Sequence, residues 1–361
     1  MLCSGEPTQT ATRRSQPPIL LDLETTSKTV YENAMSRRFP PPSSCGPSAA
    51  PPSRRHFIHA ALSAVAVLGA WSGARLPDAR AEDARGGPMP FKLSLSQRSL
   101  RQEFAASRLD PLDFPRLASG LGIDAVEYEG EFYESKLRNK GYLADLKRRA
   151  AAEGVWSKLI LVSHGGELGA PNEKNRKRAV DGYKKWVDAA AFLGCHAISV
   201  QATSQGNEDD QVNWVSDGLR RLCKYSDTIG IDILVENHAG FSANGSWLVE
   251  VLNAVGHARC GSRPDFGNFS SGDGREYDRY QGVRELMPFA RAVSAKAYDF
   301  DDRGEETRIN YAQMLKIVTD ANYHGYVGIE YDGKRLSEQA GIQRTKQLLE
   351  RVRARMPQSR T

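Results

Sequence analysis

Three acidic residues stand at or just beyond the ends of short apolar runs, which is where side chains that do chemistry are expected in parallel βα folds. Glu236 follows the run ILV, Asp265 lies in the segment RPDFGN, and Glu330 follows the run VGI. If these runs are parallel strands of one barrel, their carboxyl ends meet and the three carboxylates converge. Like charges that close need a cation or protons to compensate them, and a divalent metal is the simplest compensation. Oxygen ligands favour Mn²⁺ or Mg²⁺, whereas one or two added imidazoles would suit Zn²⁺ or Co²⁺.

Further polar residues occupy equivalent positions after other apolar runs. Because side chains alternate along a strand, Glu127 and Glu129 share one face, and so do Ser294 and Lys296. Glu127 is a candidate for substrate binding, with a surface or helix-capping role as the alternative. Lys296 is expected near a developing oxyanion or a substrate hydroxyl.

Two histidines are also candidates for substrate binding. His164 follows the third apolar run and precedes two glycines, so its alternative role is that of a loop residue. His238 shares a face with Glu236, and its alternative role is to orient that carboxylate.

The elements that carry these residues are predicted by an alternation of short apolar runs with longer amphipathic stretches from Phe91 onward. Such alternation is typical of parallel βα units. Eight units predict a closed (β/α)₈ TIM barrel, because an open doubly wound sheet would be expected to carry a Gly-rich phosphate turn after its first strand, and LSLSQRS has none. The predicted strands begin at Phe91, Asp124, Ser157, His196, Ile231, Gly261, Ala292 and Gly325. The predicted helices include Lys174 to Leu193, Gln211 to Ile229, Gly245 to Val255, Tyr311 to Ala321 and Gln339 to Arg355.

Residues 1–81 are predicted to be a leader, followed by a barrel domain over residues 82–361. The leader holds many prolines and no sustained amphipathic period, so it cannot bury a core. Arg54-Arg55 precedes a short apolar stretch from Ala60 to Trp71, and Ala79-Arg80-Ala81 offers a cleavage pattern. This order resembles a twin-arginine export signal, so we expect the mature protein in the bacterial periplasm or cell envelope, without stable membrane insertion. A chance pair of arginines in a basic leader is the alternative.

The charge and cysteine content of the predicted mature chain narrow its class. The full chain of 361 residues has a formal net charge of +5, and the leader holds nine basic and five acidic residues, which leaves a mature charge of +1. No excess positive field remains to attract nucleic acid. Cys195, Cys223 and Cys260 are odd in number and lack C-x-x-C spacing, so we expect free, mostly buried thiols.

The segments ILVENH, PDFGN, VSAKAYDF and YVGIEYDG, in the predicted strands five to eight, resemble the sugar phosphate isomerase/epimerase family of xylose isomerase-like barrels. The resemblance extends over the whole predicted barrel, and the Pro-Asp-x-Gly-Asn turn is similar to the ketose epimerase branch. It implies a carbohydrate substrate and a divalent metal held by Glu236, Asp265 and Glu330.

The resemblance also bears on the residues around the metal. It implies that Asn268, which follows the metal-binding aspartate, faces the substrate. The family's histidine on strand seven is replaced here by Ser294. The alternatives are therefore a weaker metal site with Ser294 at the fourth position, a site that uses His238 or His164, or no metal.

Two glutamates and a cation can move a proton at the carbon next to a sugar carbonyl. The cation draws charge from the carbonyl and an adjacent hydroxyl oxygen, which stabilises the enediolate. Glu236 and Glu330 would exchange the proton, and its return to the opposite face gives an epimer, whereas its return to the neighbouring carbon gives an isomer. Loss of a β-substituent would instead be a lyase reaction on a keto-glycoside. A sugar-binding barrel without catalysis is the remaining alternative.

We expect an unphosphorylated sugar or keto-glycoside as the substrate. A phosphate dianion needs a helix N-terminus, a backbone nest or an arginine cluster, and the strand-end loops contain no Gly-rich phosphate turn. The export signal also leads away from the cytoplasm, where phosphorylated sugars are made. Arg263 or Lys296 near the mouth leaves a phosphosugar as the alternative.

A related barrel, the endonuclease that acts at abasic DNA sites, is not indicated. It needs a histidine-rich metal cluster and a basic DNA-binding face. This chain has seven histidines, two of which, His56 and His59, lie in the leader.

Overall fold

A computed structural model describes residues 89–270 and 275–356 of the chain. In this part of the chain, eight parallel strands form a curled sheet with helices around it, so the predicted (β/α)₈ TIM barrel is confirmed. The leader predicted for residues 1–81 lies outside the described residues. The strands are β1 (Lys92–Ser96), β2 (Ala125–Glu129), β3 (Trp156–Val162), β4 (Ala197–Gln201), β5 (Asp232–Glu236), β6 (Cys260–Arg263), β7 (Val293–Ala297) and β8 (Tyr326–Tyr331).

The barrel closes between β6 and β7. The other neighbours pair in parallel ladders in the order β6-β5-β4-β3-β2-β1-β8-β7. β6 and β7 meet through isolated parallel bridges of Ser262 with Ala290 and of Asp265 with Ser294. The backbone N–H of Ser294 donates to the carbonyl of Pro264 at 2.8 Å. All eight carboxyl ends therefore face one mouth, which is where a barrel of this kind carries its chemistry.

The sixth strand is shorter than predicted. The sequence predicts a strand that continues through Asp265, but β6 ends at Arg263. Pro264 follows, and it has no N–H to donate to a neighbouring strand, so the regular ladder stops there. Asp265 consequently lies just beyond the strand, at the mouth of the barrel.

Helices follow the strands around the outside, and the predicted helical stretches are confirmed. α5 begins at Glu208, earlier than predicted, because the Asn207 side chain caps it by accepting from the backbone N–H of Asp210 at 2.9 Å. Gly194 ends α4 in the left-handed region, at φ +86°, which glycine adopts without strain. The α-helices are α1 (Arg101–Ala105), α2 (Phe114–Gly120), α3 (Lys140–Ala152), α4 (Glu173–Leu193), α5 (Glu208–Asp227), α6 (Gly245–Val255), α7 (Arg279–Leu286), α8 (Tyr311–Asp320) and α9 (Glu338–Ala354).

Two apolar clusters divide the interior. The larger one packs the outer faces of the strands against the helices, and it includes Ile160 and Val162 of β3. The smaller one includes Leu159 and Leu161 of the same strand. Because residues of a strand alternate between its two faces, the smaller cluster occupies the inside of the barrel. No helix among the described residues is long and apolar enough to cross a membrane.

The three cysteines of the barrel agree with their prediction. Cys195, Cys223 and Cys260 are free and buried. Burial raises the pKa of the Cys195 thiol to about 12. A thiol of this kind is an inert packing group, because the thiolate is the reactive form.

Candidate active site

Glu236, Asp265 and Glu330 meet at the mouth of the barrel, as predicted. Glu236 is the last residue of β5, Glu330 is the next-to-last residue of β8, and Asp265 follows β6. One carboxylate oxygen from each residue lies within 4.8 Å of the corresponding oxygens of the other two. All three side chains are buried. Three strands of the fold thus bring three acidic groups into one cluster, and this is the central feature of the site.

Asp265 is oriented by the side chain of Asn237. The amide oxygen of Asn237 accepts from the backbone N–H of Asp265 at 2.7 Å, and its amide nitrogen donates to the carbonyls of Asp265 and Asn268. The Asp265 Oδ1 atom accepts from the backbone N–H groups of Gly267 and Asn268 at 2.8 and 3.0 Å. The Oδ2 atom is buried and has no hydrogen bond within the described part of the chain. One oxygen is therefore fixed by the turn while the other remains available to a ligand.

A fully buried arginine donates hydrogen bonds to the glutamates of the cluster. Arg263, the last residue of β6, is 0% exposed. Its Nη1 donates to Glu236 Oε2 at 2.9 Å, and its Nη2 donates to Glu127 Oε2 at 2.8 Å and to Glu330 Oε2 at 3.4 Å. Burial opposes the charge, but the three glutamates outweigh it and hold the pKa of the guanidinium well above its usual range. From the sequence, Arg263 is expected only as a possible phosphate ligand. In the structure its guanidinium is instead a buried counter-ion for the three glutamates.

Lys296 and Ser294 both contact Glu330. The ammonium of Lys296 lies 2.9 Å from Glu330 Oε1 and 3.9 Å from Asp265 Oδ2. Burial disfavours its charge, but the surrounding carboxylates overcome that effect and raise its pKa. The hydroxyl of Ser294 donates to Glu330 Oε2 at 3.0 Å. Lys296 thus lies inside the acidic cluster, and Ser294 occupies the strand-seven position without supplying an imidazole.

The two glutamates have pKa values shifted in opposite directions. Burial raises the pKa of Glu236, and the charge of Arg263 opposes this only in part. Burial also acts to raise the pKa of Glu330, but the combined attraction of Lys296 and Arg263 reverses the shift and lowers it. Burial raises the pKa of Asp265 to about 6, against the attraction of Lys296. Environments that separate two carboxyl groups in this way are typical of acid and base pairs in enzymes.

The charges of the cluster fit a divalent cation. Among the described residues at the barrel mouth, five buried carboxylates meet three cations, which leaves an excess of two negative charges when all of them are ionised. The carboxylates are Glu127, Glu129, Glu236, Asp265 and Glu330, and the cations are the buried Arg263 and Lys296 and the partly exposed Arg98, which lies 3.9 Å from Glu330 Oε1. Asp265 Oδ2 has no hydrogen bond from the described residues, and a carboxylate oxygen that already accepts one bond keeps a further lone pair. The three predicted ligands could thus hold a divalent cation that prefers oxygen.

The remaining predicted residues divide by depth and exposure. Asn268 lies in the site, where its amide donates to Glu236 Oε1 at 3.1 Å. His238 is half-buried beside the cluster, and burial together with Lys296 lowers its pKa, which favours a neutral imidazole. His164 is exposed in the loop after β3. Glu127 lies deeper than a substrate contact requires, because Ser94 and Arg263 occupy its two oxygens at 2.6 and 2.8 Å.

A further glutamate, Glu129, forms an ion pair with Arg98 at the carboxyl end of β2. Glu129 ends β2, and its Oε2 lies 3.6 Å from Arg98 Nη1. That oxygen is buried without a hydrogen bond from the described residues, while Oε1 accepts from Ser163 at 3.3 Å. Burial raises the pKa of Glu129 to about 7, and Arg98 offsets only part of this. Glu129 is therefore incompletely neutralised, in contrast to Glu330.

Comparison with protein families decides the class of this barrel. The family model described as "Xylose isomerase-like TIM barrel" matches residues 115–354. The chain belongs to this family. A comparison with curated proteins gave no match. The family assignment agrees with the strand-end positions of the three carboxylates, which the resemblance also implied.

Solved structures show the same architecture at low sequence identity. D-psicose 3-epimerase from Clostridium cellulolyticum H10 is 14% identical with a TM-score of 0.58, and the alignment covers 73% of this chain and 99% of that chain. A 3-keto-D-glucoside 4-epimerase from E. coli is 18% identical with a TM-score of 0.55, covering 67% and 94%. A probable 3-DHS dehydratase from Bacillus anthracis is 14% identical with a TM-score of 0.56, covering 72% and 98%. At such identities the similarity establishes the fold.

Proposed function

We propose that this protein is a divalent-metal-dependent sugar isomerase or epimerase that moves a proton at the carbon next to a carbonyl. The observation that carries the proposal is the cluster of Glu236, Asp265 and Glu330, with oxygen atoms within 4.8 Å at the mouth of the barrel. Glu236 and Glu330 come from β5 and β8, which are three strands apart in the barrel order. Two carboxylates that approach from separate strands can face different sides of one substrate carbon.

The residues of the chain divide the work of such a reaction. Glu236, Asp265 and Glu330 would hold the metal, which, when bound, polarises the carbonyl and an adjacent hydroxyl. Glu236 and Glu330 remove and return the proton as general base and acid. Lys296 donates to the oxygen on which negative charge develops. Asn268 and His238 lie at the edge of this cluster, in position to bind hydroxyl groups of the sugar.

Two further observations support the substrate class. The solved structures of similar fold include epimerases named for D-psicose and 3-keto-D-glucoside. Arg263 and Lys296, the buried cations of the cluster, are paired with carboxylates at 2.8–2.9 Å, and Arg98 lies 3.6 Å from Glu129 and 3.9 Å from Glu330, so none of the three offers a free site for a phosphate dianion. We therefore propose an unphosphorylated sugar or a keto-glycoside as the substrate.

A lyase reaction on a keto-glycoside is the second candidate. It begins with the same proton removal, and the probable dehydratase of similar fold is the observation that favours it. The two candidates differ after that step. An isomerase or epimerase returns the proton to carbon, whereas a lyase expels a substituent from the neighbouring carbon.

The test is proton exchange combined with metal analysis of the purified full chain. We expect about one divalent ion per chain, and deuterium from D₂O entering a ketose or keto-glycoside next to the carbonyl. Glu236→Gln and Glu330→Gln should each lower exchange by about 10²-fold or more, because a general base contributes about that factor. Glu250→Gln, on the exposed surface of α6, is the matched control and should not change the rate.

The possible products separate the candidates. Exchange with recovery of an epimer or isomer supports the proposal, whereas an unsaturated product identifies a lyase. Matched sugar and sugar-phosphate pairs in the panel test the substrate class. A chain that binds sugars but shows no exchange with any carbonyl substrate would be the non-catalytic barrel, and it would overturn the proposal.

We also propose that residues 1–81 direct export through the bacterial cytoplasmic membrane and are removed. The proposal rests on Arg54-Arg55, the short apolar stretch and the Ala79-Arg80-Ala81 pattern. The expected location is the periplasm or the cell envelope.

A further inference from the structure

A cavity separate from the carboxylate cluster opens on the same face of the barrel. It has a volume of about 530 Å³ and is bounded by the segments that follow β4, β5 and β6. We call it the side groove and define it by Phe241, Tyr277, Glu208, Gln211, Arg275 and Glu276. Ligand sites in proteins have volumes of about 300–1,000 Å³, so the side groove is large enough for a small organic group.

Two segments of the chain that border the proposed active site also line the side groove. Phe269 directly follows Asn268, whose amide contacts Glu236. Phe241 lies three residues after His238, in the turn that leads from β5 to α6. The same two segments thus provide the edge of the carboxylate cluster and one wall of the groove.

The apolar wall consists of aromatic rings held in place by stacking. Phe241 stacks on Trp247, with ring centroids 6.0 Å apart and an interplanar angle of 26°. Phe269 stacks on Tyr277, with centroids 6.4 Å apart and an angle of 25°. The hydroxyl of Tyr277 donates to Glu285 at 2.9 Å, which fixes the ring. Phe269 and Trp247 are buried, so the half-buried Phe241 and Tyr277 are the rings of this wall that a ligand can contact. Their electron-rich faces suit the C–H face of a pyranose, because the positive C–H groups meet the negative face of the ring.

The polar wall of the groove carries hydrogen-bonding groups and charges of both signs. Gln211 donates its amide nitrogen to the carbonyl of Gly206 at 2.8 Å, which leaves its amide oxygen for another donor. Glu208, Arg275 and Glu276 are exposed and line this wall. Carboxylates accept hydrogen bonds from vicinal hydroxyls, and a guanidinium donates to them. The groove therefore suits a polyhydroxylated group.

We propose that the side groove binds a second sugar ring of the substrate, so that the enzyme acts on a glycoside or disaccharide rather than on a free monosaccharide. This inference rests on the proposed function for the reacting ring, which would lie at the carboxylate cluster. Remote binding of this kind positions the reacting carbon and contributes to turnover.

The experiment measures binding separately from catalysis. Methyl glucosides and the corresponding methyl disaccharides have no free carbonyl, so they serve as unreactive probes in calorimetric titrations of the full chain. We expect the disaccharides to bind at least about tenfold more tightly than the monosaccharide glycosides, a difference of about 1.4 kcal/mol. Phe241→Ala and Glu208→Gln should each weaken disaccharide binding about fivefold or more and leave monosaccharide binding unchanged.

Controls keep the outcome clear if one variant folds poorly. Phe192→Ala removes a 40% exposed ring on α4, far along the chain from the groove, and should leave both affinities unchanged. Glu208→Gln changes only an exposed side chain, so it tests the groove even if Phe241→Ala is unstable. Equal affinity for monosaccharide and disaccharide probes, no binding of any probe, or no effect of Glu208→Gln would overturn the inference.

Failure of the groove and failure of the proposed chemistry give different results. If disaccharides bind through the groove but no substrate exchanges its proton, the inference stands and the proposed reaction falls. If ketoses exchange their proton with kcat/KM values equal to those of glycosides, and Phe241→Ala changes neither, the reaction stands and the groove inference falls.

Discussion

Removal of the Arg263 guanidinium is the perturbation that tests the electrostatic description of the site most directly. The Arg263→Met variant keeps an unbranched apolar side chain of comparable length but removes the charge. Glu127, Glu236 and Glu330 then lose a counter-ion that now lies 2.8–3.4 Å from each of them. All three carboxylates stay in the barrel interior, where they cannot recover solvation by water.

The expected magnitude follows from the loss of one partner of a buried ion cluster. Breaking a buried pair in this way typically destabilises a protein by about 3–5 kcal/mol, because an uncompensated charge remains. For a domain of this size, each kcal/mol corresponds to about 2–4 °C, so the melting temperature at pH 8 should fall by roughly 6–20 °C. Burial already raises the pKa of Glu236 against the attraction of Arg263, so without Arg263 that pKa rises further above its unfolded value. The missing stability is therefore small below about pH 4 and grows as the pH rises.

The assay is thermal and urea unfolding of wild type and Arg263→Met from pH 4 to pH 8 without added metal. Arg335→Met is the matched control: Arg335 is 60% exposed and pairs with Asp299 at 3.4 Å, so it should change stability by no more than about 1 kcal/mol. Adding Glu127→Gln to Arg263→Met should restore part of the loss, because it removes one of the uncompensated charges. A variant as stable as wild type at pH 8, or a deficit that does not vary with pH, would refute the reasoning.

Three other perturbations test separate parts of the molecule. Glu129 keeps its proton in the folded state up to about pH 7, so wild type should lose stability as the pH rises from about 4.5 to 7. At pH 8 the unfolding free energy of Glu129→Gln should exceed that of wild type by about 1–3 kcal/mol, and at pH 4 the two should be equal. The same pH profile for both proteins would contradict this. Ser294→His adds a neutral nitrogen donor beside Glu330, so calorimetric titration should show Mn²⁺ or Zn²⁺ bound about tenfold more tightly, and weaker binding would oppose the proposed ligand set. Mass spectrometry of protein recovered from the cell envelope should find an N-terminus near Glu82, and a chain that retains Arg54 would disprove cleavage there.

The sequence predicts the fold and the three carboxylates because both depend on simple geometric rules. Alternating apolar runs and amphipathic stretches specify parallel βα units, and the carboxyl ends of parallel strands share one edge. Glu236 and Glu330 could be placed by that rule alone. Asp265 was placed correctly for the same reason, although Pro264 ends the strand before it.

Depth along the barrel axis is not available from the sequence. Alternation shows that Glu127 and Glu129 share a face, but the relative register of the strands decides which residues of other strands each of them meets. Glu127 pairs with Ser96 and Leu159, two residues before the end of β2, and Arg263 reaches it there. The path of a loop is equally hidden, and His164 consequently lies exposed after β3.

Arg263 is the functional residue that the sequence could place but not explain. Its position two residues before Asp265 puts it on the same face of the sixth segment, and this is the signal that could have directed it into the barrel. An arginine is usually exposed, however, and its burial depends on carboxylates from β2, β5 and β8. Those contacts become visible only when the barrel is closed.

The replacement of the strand-seven histidine by Ser294 is consistent with the charge balance of the cluster. A neutral imidazole supplies a coordinating atom but no charge, so its absence does not change the excess of two negative charges that the five carboxylates leave over Arg98, Arg263 and Lys296. In the proposed metal site, the electrostatic attraction for a divalent ion therefore persists, while three carboxylates supply the protein ligands. Ser294 retains a different task, because its hydroxyl holds Glu330 at 3.0 Å and limits the rotation of that carboxylate. We accordingly expect the site to bind a metal ion more weakly than a site with an added imidazole would. We also expect it to prefer ions that favour oxygen ligands, because its ligands are carboxylates.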